Sequence, residues 1–232
     1  MRMFIHDFRL NLGLKRVFID HPVSSQILAL LRPRRLRLPL VALEEFLGGP
    51  APAITFHYLA PPPINTPPDD LVPICTIAAA INAQRILEVG CHLGSGAVNL
   101  AVACPCARVI TYDIDPAAGG LIVKAPPQVR ERIELRIASF AADAARLRAG
   151  PAFDFIFIDA NHTGPAVRAD TELALTRLAP GGVIAWHDYR HRGDEWVYGT
   201  NLVPEVLNEL GTRLPLRHLG GTTVAVYRKP VR

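Results

Sequence analysis

The 232-residue sequence has few cysteines, few aromatic residues and no long apolar run. Its cysteines, Cys75, Cys91, Cys104 and Cys106, lack paired CxxC spacing, which argues against a disulfide framework and a zinc ribbon. No run approaches the roughly 20 apolar residues of a membrane span. The first 20 residues mix charged and apolar side chains, unlike a secretory signal. We therefore expect a protein of the reducing cytosol that does not enter a membrane.

Half of the residues are apolar and 20% are charged, which is typical of a globular chain and excludes disorder as its main state. The net charge of +4 is concentrated at the N-terminus, where residues 1–40 hold eight Lys and Arg against two Asp. The arginine-rich stretch over residues 32–37 could contact phosphates, an acidic partner or another copy of the chain, or it could be a solvated face. Because no aromatic residues are interleaved with it, we do not expect nucleic-acid binding.

A proline-rich connector extends from Ala51 to Pro73, where regular structure must be short. Before it, the apolar spacing predicts helices over His21–Leu31 and Leu40–Leu47. We therefore expect an N-terminal helical and proline-rich extension over residues 1–68, through which the chain could form a homo-oligomer. A second domain is expected over residues 69–232.

The second domain begins with a predicted helix that Asp69 and Asp70 could cap and that reaches about Asn82. From Arg85 onward, short apolar runs alternate with Ala-rich helical stretches, which predicts βα units and a mainly parallel sheet. Strands are predicted over Arg85–Val89, Val109–Tyr112, Ile133–Ile137, Phe153–Ile158, Val183–Trp186, Leu216–Leu219 and Thr223–Tyr227. Helices are predicted over Ser95–Ala103, Pro116–Lys124, Ala141–Ala149, Pro165–Leu178 and Leu202–Leu210.

The last two predicted strands are separated only by Gly220 and Gly221, too short a connection for a parallel crossover. They should form an antiparallel hairpin. The expected fold class is α/β: a Rossmann-like, seven-stranded, mostly parallel sheet with an antiparallel C-terminal hairpin and helices on both faces.

A glycine-rich turn follows the first strand of this pattern, in residues 86–96 (ILEVGCHLGSG). Gly90, Gly94 and Gly96 let the backbone approach a ligand closely, and the following helix offers free N–H groups. The spacing is GxxxGxG and not the GxGxxG of dinucleotide binders. Glu88, near the strand end, could meet an ammonium group. The expected ligand is therefore a nucleoside that carries an amino acid.

This turn resembles motif I of the class I S-adenosylmethionine-dependent methyltransferases, and the resemblance covers about residues 69–227. It implies S-adenosylmethionine as the cofactor. Asp113, at the end of the second strand, would then accept both ribose hydroxyls, with Asp115 as an alternative helix cap. The family's acidic adenine contact is replaced by Ser139, which can hydrogen-bond, and Phe140, which could stack on the base or pack in the core.

Two further predicted strands end in polar residues, in segments 153–162 (FDFIFIDANH) and 178–189 (LAPGGVIAWHDY). Asp159 ends one strand, and His187 and Asp188 follow the other. Because adjacent parallel strands place their ends side by side, these groups could converge on one divalent cation. The two acids could instead cap helices or orient the cofactor, and His187 could be a satisfied core histidine.

The paired strand ends resemble those of the metal-dependent O-methyltransferases of the catechol and caffeoyl-CoA type and of their sugar- and antibiotic-tailoring relatives. In the catechol-like group a Lys three residues after the first metal Asp acts as base, and here His162 holds that place. Its ordinary pKa suits proton removal from a hydroxyl, although it could merely bind a loop backbone. The resemblance implies Mg²⁺, with Mn²⁺ or Fe²⁺ as alternatives, and a small-molecule hydroxyl acceptor.

The acceptor pocket is expected at the proline-rich connector and the Tyr189–Tyr198 loop, where Trp196 and Tyr198 could close the site. Two other function classes stay open. A dinucleotide-dependent oxidoreductase is disfavoured by the glycine spacing. A non-catalytic nucleoside-binding or interaction protein that uses the basic N-terminus would not need Asp159, His162 or Asp188.

Overall fold

The structure is a computed structural model that describes residues 37–57, 66–143, 147, 150–189 and 201–231. The predicted helix over His21–Leu31, the arginine-rich residues 32–36, Trp196 and Tyr198 lie outside the described residues. Within those residues, no helix is long and apolar enough to cross a membrane.

The described chain is organised around an eight-stranded sheet with the order β1-β7-β8-β6-β5-β2-β3-β4. The strands are β1 (Leu40–Val41), β2 (Arg85–Val89), β3 (Arg108–Asp113), β4 (Ile133–Ile137), β5 (Phe153–Ile158), β6 (Leu178–Trp186), β7 (Arg217–Leu219) and β8 (Ala225–Arg228). Strand β8 is antiparallel to its neighbours β6 and β7, and the other neighbouring pairs are parallel. The predicted α/β fold with a C-terminal hairpin is confirmed.

The eighth strand, β1, lies where the sequence predicts the start of a helix. Leu40 and Val41 pair with His218 and Leu219 of β7, so the helix begins only at Leu43. A two-residue strand depends on its distant partner, and no local pattern distinguishes it from a helical turn. The N-terminal extension therefore adds a strand to the sheet, and the proposed boundary at residue 68 stays a prediction.

The helices are α1 (Leu43–Leu47), α2 (Pro68–Ala80), α3 (Ser95–Ala103), α4 (Gly120–Lys124), α5 (Pro127–Arg130), α6 (Gly164–Arg177) and α7 (Val203–Leu210). The helix predicted from Pro116 begins only at Gly120, and α5 was not predicted. The segment predicted as the Ala141–Ala149 helix opens with a 3₁₀ turn over Ala141–Asp143, and most of its remainder lies outside the described residues.

Successive residues of the central strands pack on opposite faces of the sheet, as the alternation of a β-strand requires. Ile86 joins the apolar cluster that includes α2 and α3, whereas Leu87 joins the cluster that includes α6 and α7. Helices therefore cover both faces. The carboxyl ends of the parallel strands β2, β3, β5 and β6 meet at one edge, and the predicted site residues lie there.

Candidate functional site

The glycine-rich turn after β2 lies directly against the end of β5. Gly90 has a φ of 102°, and a Cβ atom there would be 2.1 Å from the backbone oxygen of Asp159. The backbone N–H groups of Gly90 and Cys91 donate to the carbonyl of Tyr112 on β3. Gly94 has a φ of 90°, and its Cβ would be 2.6 Å from a side-chain carbon of Ile122. Both glycines are therefore required by packing within the chain.

Glu88 is buried beneath the start of α3. The Thr111 hydroxyl donates to its carboxyl group at 2.5 Å, and a Cβ on Gly96 would lie 2.0 Å from Glu88 Oε1. Gly96 therefore leaves room for this carboxyl group. Burial raises the pKa of Glu88 to about 8, Thr111 partly opposes the rise, and the charges of Asp159 and Asp113 add to it. A cationic group placed beside Glu88 would favour its ionised form.

Asp113 joins the two turns that follow β2 and β3. Its Oδ2 accepts the backbone N–H of His92 at 2.7 Å, and its Oδ1 accepts that of Asp115 at 2.9 Å. Asp115 in turn accepts the N–H of Ala117 at 2.8 Å, so it stabilises a turn and does not cap the next helix, which begins only at Gly120. Asp113 therefore ends β3 beside the glycine-rich turn, as predicted.

The two residues expected near the adenine have contacts within the chain. Ser139 Oγ accepts the backbone N–H of Ala142 at 3.1 Å. Phe140 is buried and packs edge-on against Tyr112, with 5.6 Å between ring centroids. Core packing, the alternative foreseen for Phe140, is what the structure contains. The adenine contacts of Ser139 and Phe140 stay predictions.

Asp159, His162 and Asp188 meet at the carboxyl ends of β5 and β6. One ligand atom from each lies within 4.8 Å of the other two. His162 Nε2 is 3.0 Å from Asp188 Oδ2 and 4.0 Å from Asp159 Oδ1. The Thr66 hydroxyl, in the proline-rich connector just before α2, donates to Asp159 Oδ2 at 3.0 Å. The residue predicted as general base is therefore part of the cluster that could hold a metal.

His187 lies next to this cluster, and each of its two ring nitrogens contacts carboxylate oxygens. Its Nδ1 is 3.1 Å from Asp159 Oδ1 and 3.3 Å from Asp188 Oδ1. Its Nε2 is 3.1 Å from Asp70 Oδ2. His187 was predicted as a metal ligand together with Asp159 and Asp188, and its Nδ1 faces both of these carboxylates.

Asp70 is the site residue that the sequence interpretation missed, because it was assigned to helix capping. It is fully buried on α2 and also accepts the backbone N–H of Thr223 at 2.7 Å and its hydroxyl at 3.0 Å. The helix cap is Pro67, with Pro68 as the first helical residue. That proline pair is the one local sign that Asp70 is not needed to start the helix.

The two histidines and the two aspartates of this site stabilise each other's charged forms. Burial lowers the pKa of both histidines, but the neighbouring carboxylates outweigh it and raise the pKa of His162 to about 10 and that of His187 well above its usual value. Burial opposes ionisation of Asp159 and Asp188, yet the two histidines hold the pKa of each carboxyl well below its usual range.

A divalent cation could replace the histidine protons as the positive partner of these acids. Two carboxylates with an imidazole nitrogen form a donor set that suits Mg²⁺, Mn²⁺ or Fe²⁺. The residues present therefore fit the predicted metal.

Comparison with known proteins finds one sequence profile that matches this part of the chain. Residues 87–189 match the sequence profile of a family described as a methyltransferase domain. The match contains Glu88, Asp113, Asp159 and Asp188 but not Asp70. A catechol O-methyltransferase of Mycobacterium tuberculosis (strain ATCC 25618 / H37Rv) is 30% identical over 128 residues, which are 50% of this chain. The chain covers only 58% of that relative's length.

The fold of this chain also resembles those of solved structures. Cofactor-bound Rv0187 from MTB has a TM-score of 0.59 at 23% identity and covers 74% of this chain and 84% of its own. The O-methyltransferase TomG from Streptomyces achromogenes, in complex with SAM, has a TM-score of 0.53 at 20% identity, with coverage of 67% and 78%. The O-methyltransferase from Bacillus cereus, in complex with SAH, has a TM-score of 0.53 at 17% identity, with coverage of 98% and 96%. These likenesses show a shared fold.

Proposed function

We propose that the protein transfers a methyl group from S-adenosylmethionine to a hydroxyl group of a small molecule, assisted by a divalent cation. One observation carries the proposal: the glycine-rich turn and the acidic cluster touch, because the Cβ position of Gly90 is 2.1 Å from the Asp159 carbonyl oxygen. A cofactor on the turn would lie beside an acceptor at the cluster. The names of the catechol O-methyltransferase and O-methyltransferase relatives favour the same chemistry.

Each residue predicted to bind the cofactor has a specific role in the proposal. Gly90, Gly94 and Gly96 shape the turn, and Asp113 would accept the ribose hydroxyls at the end of β3. Glu88 would oppose the ammonium group of the methionine part. The acceptor hydroxyl must then be aligned with the methyl group, because methyl transfer from a sulfonium is an in-line displacement.

Asp159 and Asp188 would hold the cation, with His187 Nδ1 as the predicted third ligand. Such a cation lowers the pKa of a hydroxyl group and orients two substrate oxygens. His162 is 40% exposed at its side chain and lies at the rim of the cluster, so an acceptor could reach Nε2. While Asp159 and Asp188 attract its proton, His162 stays charged at neutral pH and cannot act as a base. We propose that it takes the acceptor proton once the charges of these acids are neutralised.

The cofactor assignment is tested by calorimetry with S-adenosylhomocysteine on wild type, Asp113→Ala and Asp115→Ala. Asp113→Ala should lose hydrogen bonds worth about 1.5–3 kcal/mol each, since they involve a charged acceptor. Asp115→Ala is the matched control, because it removes a neighbouring carboxylate that only stabilises a turn. Absence of S-adenosylhomocysteine binding by wild type, or a shift of its melting temperature by NAD instead, would contradict the methyltransferase proposal.

The metal assignment is tested by incubating the protein with S-adenosylmethionine and a panel of hydroxylated metabolites, with and without Mg²⁺. Mass spectrometry should detect the gain of one methyl group only with Mg²⁺. Asp188→Asn should abolish turnover and leave S-adenosylhomocysteine affinity unchanged. Asp154→Asn is the control, because Asp154 lies at the opposite end of β5 and accepts the backbone N–H groups of Gln84 and Arg85. Full activity after exhaustive chelation would remove the cation from the proposal.

A further inference from the structure

The buried carboxylate of Asp70 lies next to the acidic cluster and has no role in the proposed function. Asp70 has no exposed surface, and it comes from α2, a helix outside the matched methyltransferase segment. The groups that hydrogen-bond to its two oxygens include the N–H and hydroxyl of Thr223 and the Nε2 of His187. Burying a carboxylate is costly unless each oxygen is compensated. This arrangement compensates both.

We infer that Asp70 is a positioning residue, which holds His187 with the proton on Nε2 and with Nδ1 turned toward Asp159 and Asp188. The inference rests on the proposed function, because the orientation matters when these acids bind a cation. It extends the proposed metal site to a third segment of the chain.

The argument follows from the two nitrogens of an imidazole ring. An ionised carboxylate only accepts hydrogen bonds, so its neighbour His187 must donate from Nε2. When a cation takes the place of the Nδ1 proton, the ring is neutral, the hydrogen bond to Asp70 keeps the remaining proton on Nε2, and the lone pair is on Nδ1. That atom lies 3.1 Å from Asp159 Oδ1 and 3.3 Å from Asp188 Oδ1. A carboxylate behind a metal-binding histidine fixes the tautomer and the ring orientation, and its loss costs about 10–100-fold in metal affinity.

Asp70→Asn reverses this preference with little change of shape. The amide oxygen can still accept the N–H of Thr223, but the NH₂ group then faces Nε2 of His187. The ring must accept there and donate from Nδ1, toward the acids. We expect Asp70→Asn to weaken Mn²⁺ binding about 10–100-fold, measured from the electron paramagnetic resonance signal of free Mn²⁺. The affinity for S-adenosylhomocysteine should not change.

Thr223→Val is the matched control, because it removes one hydrogen bond of Asp70 and leaves His187 Nε2 in contact. It should keep the wild-type Mn²⁺ affinity. If Thr223→Val weakens Mn²⁺ binding as much as Asp70→Asn, Asp70 acts by anchoring the chain before β8, and the inference is overturned.

A double-mutant cycle tests the route through His187. His187→Asn keeps a polar atom near the Nδ1 position but cannot reach Asp70. In that background Asp70→Asn should have no further effect on Mn²⁺ affinity. A full and additive effect would overturn the inference, because Asp70 would then act without the ring.

Histidine nitrogen NMR of wild type with Mg²⁺ and S-adenosylhomocysteine provides a measurement that does not depend on a folded variant. The spectrum should show the His187 proton on Nε2, and a proton on Nδ1 alone would overturn the inference. Absence of Mn²⁺ binding by wild type would overturn both the inference and the metal step of the proposed function. Equal Mn²⁺ affinity of wild type and Asp70→Asn would overturn the inference alone.

Discussion

Gly90→Ala tests whether the contact between the glycine-rich turn and β5 fixes the site. The residue has a φ of 102°, where a side chain is strained by about 1–2 kcal/mol. The new Cβ would also lie 2.1 Å from the carbonyl oxygen of Asp159, against the 3.4 Å at which ordinary contact begins. Overpacking of this kind costs about 1–3 kcal/mol. Because the clash is with backbone, a rotamer change cannot relieve it.

We therefore expect Gly90→Ala to lower the free energy of unfolding in urea by about 2–5 kcal/mol. A domain near the middle of the ordinary range of about 5–15 kcal/mol would still fold. The displaced end of β5 should also weaken Mn²⁺ binding, because Asp159 moves relative to Asp188. Gly120→Ala is the control, since its φ is not positive and its Cβ would meet nothing within 4 Å. Equal stability and equal Mn²⁺ affinity of the two variants would refute the reasoning.

Three further predictions concern protonation and burial. In the presence of a chelator, the contribution of protonated His162 to the free energy of unfolding should be complete below pH 6.5 and should be lost as the pH rises toward 10, as urea unfolding can measure. The affinity for Mg²⁺, measured by calorimetry, should rise over the same pH interval. Glu88 binds more protons folded than unfolded, so the cofactor-free protein should lose stability from pH 4.5 to about 8; urea titrations of Glu88→Gln should lack this loss. Thr171→Val leaves the buried Trp186 indole N–H, now 2.9 Å from the threonine hydroxyl, without that acceptor, and should lower the free energy of unfolding by about 1–3 kcal/mol in urea.

The positions of the acidic side chains along the sheet edge could be predicted from the sequence. Asp113, Asp159 and Asp188 each follow an apolar run bounded by helical stretches. In a parallel sheet that pattern alone assigns them to the carboxyl edge. The glycine spacing likewise located the turn after β2. Local periodicity was sufficient for these elements, because strand ends in such a sheet share one edge whatever their separation in the chain.

The parts that could not be predicted depend on partners far away in sequence. Asp70 meets His187 across 117 residues and Thr223 across 153, and no periodic pattern encodes either contact. The strand at Leu40–Val41 exists because β7 offers an edge. The close contact of Gly90 with Asp159 could not be predicted either, because the sequence analysis already attributed this glycine to the close approach of a ligand.

The hydrogen bonds of Asp70 determine when during folding the site can become complete. Contacts between residues so far apart form late, because the intervening loop must be closed before the contact stabilises anything. During synthesis, β2, β3, β5 and β6 all emerge before Thr223, and by then they can pair with one another. At that stage Asp159 and Asp188 are close together, yet Asp70 lacks two of its hydrogen bonds. We therefore expect the cluster at the sheet edge to become rigid only after the segment that contains Thr223 has been synthesised and has folded.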